Sequence, residues 1–70
     1  MDSKLITRLI ELIEQDIMET EHLLALARED FDRLDANDVI GQANVRTLIA
    51  QQMRKLAQLQ AEHRDWTLKT

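Results

Sequence analysis

Among the residues whose types and spacing could do chemistry, Glu19 and His22 come first. A carboxylate and an imidazole three positions apart share one helix face, and Glu-x-x-His is the pattern by which helical bundles hold carboxylate-bridged metals. A dinuclear site needs two such motifs aimed into a core, and the chain carries one, flanking an apolar stripe instead of lying in it. A solvated helix face is therefore expected. His63 stands beside Glu62, Arg64 and Trp66 and reads as a polar spacer. Ser3 has no evident base or oxyanion loop near it, and the chain has no cysteine to serve as nucleophile, thiolate ligand or disulfide. One glycine cannot build a phosphate-cradling loop. The expectation is a non-enzymatic chain with no cofactor and no metal.

Arg46, Arg54, Lys55 and Arg64, with Gln51 and Gln58, could contact phosphates. Against this, the net charge is −4, and Phe31 and Trp66 are the only aromatic residues, so stacking platforms are lacking and nucleic acid is disfavoured as a partner. Lys4 and Arg8 are too few for a membrane-surface helix, and Glu11 and Glu14 on the same arm would be repelled by anionic lipid. At 44% hydrophobic and 31% charged, the composition is too apolar for disorder and too broken by charge for a membrane span. The apolar stretch from Leu5 to Ile13 contains Thr7, Arg8 and Glu11 and leads to no small-residue cleavage site, so it does not read as a signal peptide. A cytoplasmic location is the default expectation.

Seventy residues make one domain at most. At that size folding hides only about 60% of the unfolded surface, which leaves a lone monomer close to the threshold of stability. The turn-forming cluster Asp35-Ala36-Asn37-Asp38, with Gly41 just beyond, gives the chain one natural break. The predicted architecture is all-α: an antiparallel, coiled-coil-like helical hairpin pairing into a four-helix bundle. Helix 1 covers about 3–35, the hinge about 35–38 and helix 2 about 38–67. Ser3 is the expected cap of the first helix, and Asn37 or Asp35 of the second. A rival hinge at Glu29-Asp30 would leave unequal arms and set Gly41 deeper inside a helix.

Ile6, Ile10, Ile13, Ile17, Thr20, Leu24, Ala27, Phe31 and Leu34 follow one another in alternating steps of four and three, a heptad seam with one polar member. Val45, Ile49, Gln52, Leu56, Leu59, His63 and Trp66 form a second, thinner seam. Folding back near Ala36 and Asn37 pairs residues whose numbers add to roughly 72 or 73, if both arms rise about 1.5 Å per residue. That register sets Thr20 against Gln52 in one hydrogen-bonded polar layer, with Ile17 on Leu56, Leu24 on Ile49, Ile13 on Leu59 and Ile6 on Trp66. Charge agrees: residues 1–36 carry ten acidic and four basic side chains, and residues 37–70 carry three acidic and five basic. Surface ion pairs of this kind contribute about 0–1 kcal/mol each and guide pairing more than they stabilise it.

The seam of the first arm leaves Leu5, Leu9, Leu12, Leu23 and Leu26 over, in a line interrupted by Asp16 and Glu19; Val39, Ile40, Leu48 and Met53 are off-seam in the second arm. Two helices cannot cover both stripes, and an apolar strip of that extent marks a protein interface. Its occupant is expected to be a second copy of the chain, giving a homodimeric four-helix bundle, a helical protein client, or both. The five leucines are the candidate contacts.

The run Leu26-Ala27-Arg28-Glu29-Asp30-Phe31-Asp32-Arg33-Leu34, followed by Leu48, Met53, Leu56, Leu59 and the terminal Glu62-His63-Arg64, resembles the small helical export chaperones of flagellar and type III secretion systems. In length the chain looks more like the co-chaperones that hold needle subunits. The resemblance covers about two-thirds of the chain and implies a cytoplasmic protein that binds an aggregation-prone helical client through an apolar helix face, with no invariant site carried over. In size, acidic balance and the turn Leu34-Asp35-Ala36-Asn37-Asp38, the chain also resembles plasmid-encoded RNA-binding hairpins that dimerise into four-helix bundles. In those a basic first-helix face meets RNA, whereas here the first arm is the acidic one. A structural subunit of a phage or multiprotein assembly is the remaining alternative.

Overall fold

The computed structural model describes residues 3–69. Two helices account for almost all of them: α1 spans Ser3–Arg33 and α2 spans Val39–Leu68. No proline interrupts either one. They pack antiparallel along their length as a hairpin of 55 × 14 × 11 Å. Asp30 lies inside α1, which removes the earlier hinge, and the turn occupies residues 34–38.

Burial follows the heptad reading. Every seam position of α1 from Ile6 to Leu34 is buried or half-buried, and the only other α1 residue that is not exposed is Leu9. Ile6, Ile13, Thr20, Leu24 and Ala27 are the fully buried ones. The α2 seam from Val45 to Trp66 is half-buried throughout, and no α2 residue is fully buried. Heptad spacing places these side chains on one stripe of each helix, so each α1 knob enters the space between residues of α2.

The polar layer differs from the expectation. Thr20 is 1% exposed, and its hydroxyl donates to the carbonyl of Asp16, one turn back, at 2.8 Å. A helical threonine has this local acceptor always in reach, and its single proton is then committed. Gln52 Oε1 is left buried with no hydrogen-bond partner. The register also differs. The cross-helix pairs Glu14 with His63, at 3.8 Å, and Phe31 with Arg46, at 5.3 Å from ring centroid to guanidinium carbon, have numbers that add to 77 in both cases. Leu24 shares a groove with Met53 and Leu56. Side chains lean toward the N-terminus of their own helix, away from the hinge on α1 and toward it on α2, so touching residues have larger number sums than backbones at equal height.

The caps are corrected too. Ser3 lies within α1 itself, with its carbonyl accepting from the Thr7 hydroxyl at 2.9 Å, so it is not the cap, and what precedes it lies outside the described residues. Asp38 caps α2, its carboxylate accepting from the Gly41 N–H at 2.9 Å. A Cβ on Gly41 would fall on that carboxylate, so the glycine seats the cap and does not break the helix. Asp35 instead accepts from the Asn37 N–H at 2.9 Å, closing an Asx turn, and Gln42 Nε2 donates to the carbonyls of Asp35 and Ala36 at 3.2 and 3.3 Å.

Candidate functional site

The hairpin has two broad sides, and heptad position decides which residues each receives. A helical residue one position after a seam residue is rotated about 100° to one side of the stripe, and a residue one position before it is rotated as far to the other. Glu21 and Arg28 follow Thr20 and Ala27, while Met53, Ala57 and Gln60 follow Gln52, Leu56 and Leu59; these five line one shallow groove between the helices. The groove therefore fixes the side on which all the following residues lie. Glu14 with His63 and Phe31 with Arg46 bridge the helices, the first as an ion pair when the imidazole is protonated.

The opposite side receives the residues that precede the seam. On α1 these are Leu5, Leu9, Leu12, Asp16, Glu19, Leu23 and Leu26, spaced four, three, four, three, four, three. On α2 they are Asn44, Leu48, Gln51, Lys55, Gln58, Glu62 and Asp65, of which Leu48 alone is apolar. Leu5, Leu12, Leu23 and Leu26 are between 42% and 51% exposed, and Leu48 matches them at 45%. Leu9 is half-buried. All five predicted leucines thus belong to one stripe, and the second helix adds Leu48 beside it. Asp16, Glu19 and Lys55 divide the leucines into an open-end group and a hinge-end group, and none of the three has a charge partner among the described residues.

The other sequence candidates do not converge. Glu19 and His22 are both exposed, and among the described residues no three His, Cys, Asp or Glu side chains are grouped to hold a metal ion. Arg46 and Arg64 lie on the groove side, Lys55 on the leucine side and Arg54 on the back of α2, so the four cations do not form one stripe. Arg46 is also committed to the Phe31 ring. His63 is paired across the hairpin with Glu14, a partner that residue order along α2 does not reveal.

Compared with known proteins, the chain matches no family model, no curated protein and no solved structure. Its own geometry is what remains to argue from. Among the described residues no helix is long and apolar enough to cross a membrane. Val39 and Ile40, 70% and 76% exposed, open α2 at the hinge end, on its groove side and its back.

Proposed function

We propose that this chain is a non-enzymatic protein-binding module, a small cytoplasmic chaperone or adaptor that packs a helical partner along its leucine side in a secretion or assembly system. The observation that carries this reading is the stripe itself: leucines at heptad spacing, exposed on one side of a hairpin whose opposite side is bridged by polar pairs. Such a stripe offers a lengthwise groove to an amphipathic helix, whose residues at matching spacing would fill the spaces between leucines. The acidic run in Asp16 and Glu19 favours a partner with a cation at mid-length. The secretion context rests on the sequence resemblance to small export chaperones.

Leu12→Asp combined with Leu23→Asp tests the surface, since both side chains are exposed and leave the seam intact. A synthetic amphipathic Leu/Lys helix of about 20 residues serves as the probe, long enough to span both leucine groups at about 1.5 Å per residue. Binding by the parent chain, diluted to its monomeric range, and a loss of at least about tenfold in the double variant, with helical circular dichroism unchanged, is the expected result. Equal binding by both proteins would end the reading. Collapse of the helix signal would show that the leucines are core.

A further inference from the structure

We propose that the occupant of the leucine side is a second copy of this chain, joined by a two-fold axis parallel to the helices, so that α1 of each copy packs on α2 of the other and both hinges lie at one end. This deepens the preceding proposal and rests on it. Three observations carry it.

The first is area. The chain exposes 5496 Å² for 8.2 kDa, and a compact folded monomer of that mass exposes about 4500 Å². The surplus, about 1000 Å², is close to the roughly 800 Å² that each partner loses in a stable protein interface. The second is the state of α2, whose seam is only half-buried and whose Leu48 is exposed beside it. A helix laid across the leucine side would cover Leu48 together with the leucines of α1.

The third is charge and height. Glu19 stands 14 residues from the hinge end of α1, a height of about 21 Å, and Lys55 stands 16 residues from that of α2, about 24 Å. Leu26 and Leu48 stand at about 10 and 14 Å. A two-fold axis parallel to the helices preserves height, so it sets Leu26 of one copy beside Leu48 of the other, Leu12 and Leu9 beside Gln58 and Glu62, and Asp16 and Glu19 against Lys55. Among the described residues, neither Glu19 nor Lys55 has a charge partner in its own hairpin. A perpendicular two-fold axis stacks α1 on α1 instead. It would gather Asp16 and Glu19 of both copies at the centre and set Lys55 against Lys55, a juxtaposition of like charges that opposes association. The charges therefore select the parallel axis.

Sedimentation equilibrium combined with spin-label distances tests both the dimer and its axis. The chain has no cysteine, so Asn37→Cys places a single label at the hinge. The proposal expects a dimer with a label separation on the order of 20 Å, set by helices about 10 Å apart plus the label arms. A perpendicular axis would put the hinges at opposite ends of a 55 Å body and would overturn the proposed geometry. Glu19→Lys and Lys55→Glu should each weaken the dimer at least about tenfold, and an equimolar mixture of the two should restore it in large part, since positions 19 and 55 then meet with opposite charges in both copies of that contact. Failure of the mixture to associate overturns the pairing. A folded chain that stays monomeric throughout but binds the Leu/Lys peptide overturns the second copy as occupant and keeps the protein-binding reading; one that does neither ends both.

Discussion

The two helices are almost equal in length, 31 and 30 residues, yet α1 holds every fully buried side chain and α2 holds none. Length is therefore not what decides burial in a hairpin. The α1 seam is apolar at all positions but Thr20, which satisfies its hydroxyl on its own backbone. The α2 seam includes Gln52, whose side-chain oxygen is buried without a hydrogen-bond partner, and His63, whose imidazole stays partly exposed beside Glu14. The comparison teaches that α1 supplies a core and α2 a lid, with a leucine stripe left on the side that the lid does not reach.

The sharpest way to break this asymmetry is to truncate matched seam residues. Leu24→Ala should cost about 2–5 kcal/mol in urea unfolding followed by circular dichroism, because Leu24 is buried on all sides. Ile49→Ala, on the half-buried seam of α2, should cost roughly half as much at low protein concentration. Equal losses would erase the distinction between core and lid. Gln52→Leu moves the other way: removing a buried oxygen that has no donor should stabilise the hairpin by about 1–2 kcal/mol, and a loss of stability would show that the amide has a partner.

The hinge end allows a finer test. Asp38→Ala removes the cap of α2 and should cost about 1 kcal/mol. Gly41→Ala gains about 1 kcal/mol of helix propensity but evicts the carboxylate, for a net change near zero; in the Asp38→Ala background the gain alone should remain. Additive effects in thermal melts would separate the glycine from the cap. Smallest is Arg46→Ala, about 0.5–1 kcal/mol, for loss of the guanidinium over Phe31.

Most of the fold was legible in the sequence because heptad periodicity reports burial directly: both seams, the place of the turn and the leftover leucines lie where spacing puts them. What spacing could not show is where a side chain with two possible partners spends its hydrogen bond. Thr20 chose Asp16 over Gln52, and Asp38 took the cap that Asp35 and Asn37 were equally able to fill by type. The cross-helix register escaped for a related reason, since residue counting sets backbones level while the leaning side chains make the contacts. His63 with Glu14 lies on two helices and leaves no local pattern. For the leucine side, residue order placed the stripe, and the groove opposite it was needed to show that Leu48 and Lys55 share its side.

The turn that joins the helices has a kinetic meaning. Its bonds, from Asp35 to Asn37, from Asp38 to Gly41 and from Gln42 back to Asp35, span seven residues or fewer, so they close early and at little entropic cost. Glu14 and His63, toward the other end, are separated by most of the chain. Each pair nearer the hinge shortens the loop that the next must close, so the hairpin zips from the turn outward and frays in the reverse order. Amide exchange should be slowest near Leu24 and Ala27 and fastest around Ile6 and Trp66, which makes the ends remote from the turn the first part of the molecule to open.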